Sequence, residues 1–408
     1  MNRNLLILLV VCVGELICLN VQAQKFDELG KTPQMGWNSW NKFSCDINEQ
    51  LIRATADAMV NTGMKDAGYE YVNIDDCWHG ERDALGFIHA NKKRFPSGIK
   101  ALADYVHAQG LKLGIYSDAG TTTCAGHPGS LHYEYQDAIT YASWGIDYVK
   151  YDWCDTEGLD AQIAYKTMRD AIKKAGRPML FSMCEWGENK PWLWAKDVGH
   201  SWRTTGDIYA CWDCVISTRY MSSQSVLRIL DQQEGLREYA GAGHWNDMDM
   251  LEVGNGMSAN EDGAHFSLWA MLASPLIAGN DLRNMSETTR KILTNKDVIA
   301  INQDKLGIQA LRIFSEGALE IWIKPLENNE WALLFLNRSA QPMAHTHVWN
   351  PLRDELSKRS VNFNKTIYQW TDVWSKAVGD TQQPLKKEIA PKSVIMLRLK
   401  PKIKPAIL

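Results

Sequence analysis

The segment Tyr148-Val-Lys-Tyr-Asp-Trp-Cys154 brings a lysine and an aspartate to the end of a short apolar run. Side chains two apart on a strand share a face, so Lys150 and Asp152 emerge side by side where the strand stops. An ammonium beside a carboxylate favours its ionised form, which suits a nucleophile. The same spacing also suits a structural ion pair at a strand end.

Similar events recur along the chain. Tyr69–Ile74 runs into Asp75-Asp76-Cys77-Trp78, and Leu111–Tyr116 into Ser117-Asp118. Met179–Met183 runs into Cys184-Glu185-Trp186, Gly199–Arg203 into Thr204-Thr205-Gly206-Asp207, and Gly243–Asn246 into Asp247-Met248-Asp249-Met250. Asp152 and Asp207, at the ends of different strands, could flank one bond, as the two carboxylates of a glycoside hydrolase must. Asp75 and Asp76 could accept several hydroxyl hydrogen bonds if a turn lets both serve. Arg203 offers a fork of donors near Asp207. Trp40 and Trp186 offer apolar faces for a pyranose ring, and either could equally be core.

Two other chemistries compete. Metal-dependent hydrolysis needs clustered ligands, but the 10 histidines form no His-Glu-x-x-His, and His200 and His244 read as packed strand residues. A binding module without catalysis would use tryptophan-rich strand ends, among 17 Trp, to stack on sugars. No metal and no cofactor is called for.

The elements that must position these groups follow from periodicity. Amphipathic stretches at Asn48–Asp66, Ile99–Gln109, Ala161–Lys174 and Glu261–Ala273 separate the apolar runs. About eight strand-helix units, from Gln34–Trp40 to Pro275–Gly279, predict a (β/α)8 barrel, whose chemistry sits at the C-terminal strand ends. A doubly wound sheet would carry a glycine-rich phosphate turn after its first strand, and Met35-Gly-Trp-Asn-Ser-Trp40 is not one. Beyond about Leu306, short runs such as Leu319–Lys324, Trp331–Leu336 and Ser393–Leu399 predict an antiparallel β-sandwich of about 100 residues. The expected division is 1–23 leader, 24–306 barrel and 307–408 sandwich. The Lys400–Lys404 tail reads as a frayed end.

Arg3, the apolar Leu5–Val13 and the small residues of Val21-Gln22-Ala23 describe a cleavable export signal. A soluble, periplasmic or extracellular protein is expected, without a membrane span. A net charge of −4 with no long basic run argues against nucleic acid. Of nine cysteines, Cys12 and Cys18 leave with the signal, and the odd remainder of seven requires a free thiol. Cys45, Cys77, Cys124 and Cys154 sit in strand-end loops and could form two bridges across the barrel mouth. Cys211-Trp-Asp-Cys214 has no second pair for zinc and reads as a loop bridge or two inert thiols.

The order Thr-Pro-Gln-Met-Gly-Trp-Asn-Ser-Trp (32–40), Ile-Asp-Asp-Cys-Trp (74–78), Gly-Ile-Tyr-Ser-Asp-Ala-Gly (114–120), Lys-Tyr-Asp (150–152), Cys-Glu-Trp (184–186), Trp-Arg-Thr-Thr-Gly-Asp-Ile (202–208) and Trp-Asn-Asp-x-Asp-Met (245–250) resembles glycoside hydrolase family 27. That family holds α-galactosidases, α-N-acetylgalactosaminidases and β-L-arabinopyranosidases. The resemblance implies a barrel followed by a sandwich, and a retaining mechanism with Asp152 as nucleophile and Asp207 as acid/base. It implies a galactose pocket shaped by Trp40, Asp75, Asp76, Tyr116, Cys124, Lys150, Cys154, Arg203, Asp249 and Met250. It also implies disulfides Cys45–Cys77 and Cys124–Cys154. Glu185 and Trp186 fall where the family sets tolerance at the sugar's C2, and their bulk favours a free 2-hydroxyl over N-acetyl. The intact Asp75-Asp76 pair looks like the galactose type rather than the arabinopyranose type. A secreted α-galactosidase acting on oligosaccharides, galactomannans or glycoconjugates is therefore the expectation, with a carbohydrate substrate, no nucleic acid and the oligomeric state open.

Overall fold

A computed structural model describes residues 25–217 and 222–402; the segment 1–23 that reads as an export signal lies outside these residues. Eight strands form one all-parallel sheet: β1 Met35–Asn38, β2 Tyr71–Asn73, β3 Lys112–Asp118, β4 Tyr148–Asp152, β5 Leu180–Met183, β6 Ser201–Arg203, β7 Trp245–Asp247 and β8 Leu276–Ala278. Sequential strands neighbour one another, and β8 pairs with β1. The ring closes just beyond β7, where the Leu251 amide donates to Ile277 O (2.7 Å) and the Gly279 amide donates to Leu251 O (2.9 Å). The result is the expected (β/α)8 barrel. Its strands are near-continuous apolar runs because both faces are covered. At Gly114 in β3 a Cβ would collide with the Asn73 side chain of β2, so only glycine fits inside the barrel there.

Helices at Gly98–Ala108, Ala161–Ala175 and Ala259–Met271 follow the apolar periodicity. The stretch 48–66 instead splits into Glu49–Asn61 and Met64–Ala67, because Gly63 takes φ +81° and breaks the α-helical run. Helix Ala259–Met271 begins with a capping box between Ser258 and Glu261. His200 is buried, with Nδ1 accepting from the Phe181 amide (2.9 Å) and Nε2 facing Phe26 O (2.9 Å), a packed residue as its position suggests.

The C-terminal part is an antiparallel sandwich. One sheet contains β9 Leu311–Glu316, β10 Leu319–Pro325, β11 Trp331–Asn337, β12 Tyr368–Asp372, β13 Val378–Asp380 and β14 Ser393–Pro401, in the order β9-β10-β11-β14-β12-β13. Strand β11 shows why the run reads apolar at every position. Trp331, Leu333 and Phe335 enter the sandwich core, while Ala332, Leu334 and Leu336 join the barrel's core. Trp374 Nε1 donates to Ser267 Oγ (2.9 Å) and Lys392 pairs with Glu261 (2.8 Å), so the sheet is bolted to helix Ala259–Met271. The tail is more ordered than expected through Lys402: Lys400 belongs to β14, and Lys402 pairs with Asp380 at 2.8 Å. No helix among the described residues is long and apolar enough to cross a membrane.

Candidate active site

A cavity of about 470 Å³ opens at the C-terminal ends of the barrel strands. Both Lys150 and Asp152 face it from β4, as the two-residue period requires. Asp207, from the loop after β6, lines it as well.

Lys150 is not the direct partner of Asp152. Its Nζ lies 2.9 Å from Asp75 Oδ2, which also accepts from Asn38 Nδ2 (2.7 Å). Burial alone would lower the lysine's pKa, but Asp75 and, behind it, Asp152 hold it well above the usual range. Burial pushes Asp152 upward, and the charges of Asp207 and Asp75 add to this, while Lys150 opposes it. Lys150 thus limits a rise rather than producing a depressed carboxylate.

The tandem Asp75-Asp76 both line the cavity because β2 has ended and the chain turns, with Cys77 at φ +75°. Asp76 accepts from Thr123 Oγ1 (3.0 Å) and the Ala125 amide (2.9 Å), fixing the loop that carries Cys124. Burial opposes ionisation of Asp76, but contacts from His79, Ala125 and Thr123 hold it below the ordinary carboxylate range. Tyr116 donates to Cys124 Sγ (3.4 Å). Disulfides Cys45–Cys77 and Cys124–Cys154 tie neighbouring strand-end loops together, and Cys211–Cys214 is also bridged.

Opposite, Arg203 Nη2 lies 3.0 Å from both Asp207 Oδ1 and Asp249 Oδ2. Asp249 has φ +74°, and its carboxylate accepts from the Ile208 amide (2.8 Å) and the Met250 amide (2.8 Å). Burial raises Asp249, with Arg203 opposing and Asp207 adding to the rise. Trp40, Cys124, Cys154, Trp186 and Met250 complete the walls.

Glu185 is the exception. It is fully buried away from the cavity, and its Oε2 accepts from the Asn189 amide (2.5 Å) and Asn189 Nδ2 (2.9 Å). Trp186, at φ +55°, turns the chain so that Trp186 and Glu188 face the cavity instead. Asn41, Glu188 and Gly206 also line it and escaped the sequence reading. So did Cys184, the free buried thiol, whose Sγ lies 3.6 Å from Arg203 Nη1 in a small recess shared with Lys150, Asp249 and Met250. Burial, with Asp152 adding to it, keeps this thiol protonated. A cysteine after a strand gives no sequence signal to separate packing from a cavity floor.

Among the described residues, two groups are compact enough to hold an ion, Cys45/Cys77/His127 and Asp118/Cys124/Cys154. Both contain cysteines already joined as disulfides, so neither offers thiolate ligands. What the cavity presents is carboxylates, an ammonium, a guanidinium and indole faces, the set a polyhydroxylated ring requires.

Residues 32–304 match the family model described as alpha galactosidase A, and residues 316–399 match the alpha galactosidase C-terminal beta sandwich domain. The chain is 63% identical over 404 residues to alpha-galactosidase A of Cellvibrio japonicus, covering 98% of this chain and 100% of that protein. The structure of alpha-galactosidase I from Mortierella vinacea superposes with a TM-score of 0.86 at 40% identity, covering 91% of this chain and 98% of that one. The alpha-galactosidase from Saccharomyces cerevisiae with raffinose gives 0.85 at 31% identity, covering 93% of this chain and 100% of that one. This chain therefore belongs to the α-galactosidase family and is a glycoside hydrolase of that activity.

Proposed function

We infer that the protein is an exported, retaining enzyme that removes terminal non-reducing α-D-galactosyl residues from oligosaccharides or galactomannan side chains. The carrying observation is that Asp152 and Asp207 line one cavity from the ends of two different strands, with Arg203 3.0 Å from Asp207 and Lys150 held beside Asp75 at 2.9 Å.

In the first step the Asp152 carboxylate attacks C1 and forms a galactosyl ester. The C1–O bond breaks, and Asp207 gives its proton to the departing oxygen. Arg203 engages Asp207 Oδ1, leaving the second oxygen for that proton. Water then attacks C1, Asp207 takes its proton, and Asp152 leaves as carboxylate. Asp75 and Asp76 suit the C4 and C6 hydroxyls, and Trp186 faces C2.

A second groove of about 450 Å³ shares Cys124, Cys154, Trp186 and Glu188 with the cavity. It suits the leaving saccharide. Asp155, Glu157 and Glu188 line it, with no lysine, arginine or histidine, which favours neutral aglycones. The yeast relative holding raffinose, a neutral trisaccharide, fits this reading. The N-terminal segment 1–23 supports export to the periplasm or beyond.

The test compares nitrophenyl α-galactoside, α-N-acetylgalactosaminide and β-L-arabinopyranoside, with NMR of the first anomer released. Rapid release of α-galactose from the first substrate supports the reading. Release of the β-anomer overturns retention, and preference for either other glycoside overturns the sugar assignment.

A further inference from the structure

Asp207 sits on a loop that leaves β6 and returns at helix Val226–Asp231. Its near end is well held. The Gln224 amide donates to Asp207 O (2.7 Å), the Tyr209 amide donates to Gln224 O (2.9 Å), and the Ile208 amide reaches Asp249. Its far end is held by the other domain. Trp212 is 4% exposed, and its indole N–H donates to the backbone carbonyl of Arg338 (3.1 Å), just past β11 of the sandwich.

Arg338 is itself clamped. Its guanidinium reaches both oxygens of Asp231 (2.7 and 2.8 Å), at the end of the returning helix, and Oε1 of Glu320 (2.6 Å) on β10. Glu320 is buried, and its other oxygen accepts from Trp322 Nε1 (2.9 Å). The Arg338 amide donates to Ala318 O (2.9 Å). The carbonyl that receives Trp212 therefore belongs to a fixed point. Within the loop, the Val226 amide donates to Cys211 O (3.0 Å) and the Leu227 amide to Trp212 O (3.1 Å), and Cys211–Cys214 brackets the tryptophan.

We propose that Trp212 is a positioning residue through which the C-terminal sandwich sets the location of the acid/base loop. The proposal rests on Asp207 being the proton donor. The chain of contacts runs from Arg338 through Trp212 and the stapled turn to the strand-like bridge that fixes the Asp207 backbone. Proton transfer needs hydrogen-bond geometry, so displacement of this loop by a fraction of an ångström slows the steps in which Asp207 gives or takes a proton, and of these only the protonation of the leaving oxygen enters kcat/KM.

Trp212→Phe keeps an aromatic ring in the site and removes the donor with the five-membered ring that carries it. The measurement is kcat/KM of Trp212→Phe and Asp207→Asn on raffinose, whose leaving group needs protonation, and on 2,4-dinitrophenyl α-galactoside, whose leaving group does not. The expected result is a fall of about tenfold on raffinose for Trp212→Phe, with less than about twofold on the dinitrophenyl substrate. Inhibition by galactose should be unchanged. Equal falls on both substrates, or none on either, overturn the proposal. Should Trp212→Phe fail to fold, Arg338→Met, which loosens the clamp and keeps the carbonyl, is read by the same ratio. If Asp207→Asn shows no leaving-group dependence, the assignment of Asp207 fails as well; if it does and Trp212→Phe does not, only the tether fails.

Discussion

Lys150 and Asp75 form a 2.9 Å ion pair inside the barrel mouth, reaching across from strands that are not neighbours, with side chains 15% and 2% exposed. Removing one member of a buried pair leaves an uncompensated charge, at a cost of about 3–5 kcal/mol. Lys150→Met should lower the urea midpoint accordingly. It should also move the acid limb of kcat/KM to higher pH, because Asp152 loses the cation that opposes its rise. An unchanged acid limb would show that Lys150 does not act on Asp152.

Stability should run against activity on the acid side. Burial raises Glu252 to about 7, Asp262 to about 7 and Asp247 to about 6. Groups whose folded pKa exceeds the unfolded value bind more protons when folded, so their stabilisation is complete below about pH 4 and is lost as pH rises through 6–7. The melting temperature should therefore be higher at pH 5 than at pH 8, while turnover declines toward pH 5 as Asp152 protonates. Asp76, held low, works in the opposite sense only near pH 4 and below. A melting temperature that climbs steadily from pH 5 to 8 contradicts this.

The two aspartates should separate by leaving group. Asp152→Asn should be inactive on every substrate, since no ester can form. Asp207→Asn should lose about 10²–10⁴-fold on raffinose and far less on dinitrophenyl α-galactoside. Matching residual rates for both variants on the activated substrate would reverse or void the roles.

Specificity at C2 should depend on Trp186 and not directly on Glu185. Trp186→Ala should narrow the preference for α-galactoside over α-N-acetylgalactosaminide. A site that hydrogen-bonds a hydroxyl and closes on it discriminates by orders of magnitude, against about 10–200-fold per methylene for a loose apolar pocket. Glu185→Gln preserves the contact to the Asn189 amide and should leave the ratio within about twofold. Equal ratios for Trp186→Ala and the parent would refute the role of the indole.

The acidic groove should show itself in charge selectivity. A carboxylated aryl α-galactoside should be a poorer substrate than its neutral isostere, and more so at low salt. Glu157→Gln, which lines the groove and not the galactose cavity, should relieve that penalty without changing inhibition by galactose. A penalty insensitive to both salt and substitution would place the aglycone elsewhere.

Much of this architecture was legible because one signal dominated it. Apolar runs ending in carboxylates located six of the barrel strands, the strand-helix alternation added the first and last, and the parity of Lys150 and Asp152 put both into the cavity. What parity could not supply was ranking: it shows that two groups share a face, not that Asp75, two strands away, outcompetes Asp152 for Lys150. Parity also sets Cys184 and Trp186 on the cavity side and Glu185 away from it, as found, so the expectation that Glu185 meets the sugar ran against the alternation itself. The split at Gly63 has a different origin, since the apolar periodicity continues across a left-handed position where the backbone does not. Trp212 was invisible for another reason. Its partner lies 126 positions away, and a backbone carbonyl leaves no trace in side-chain pattern.

The seam that closes the barrel lies only one or two residues from two walls of the cavity: Asp249 and Met250 immediately precede Leu251, whose amide and carbonyl join β7's exit to β8. Substrate recognition and ring closure are thus one cooperative unit. Amides at Leu251 and Gly279 should exchange with deuterium only as slowly as the whole barrel opens, and galactose should retard them further. With the pocket built onto this seam, inactivation by heat and loss of the barrel should occur as a single event.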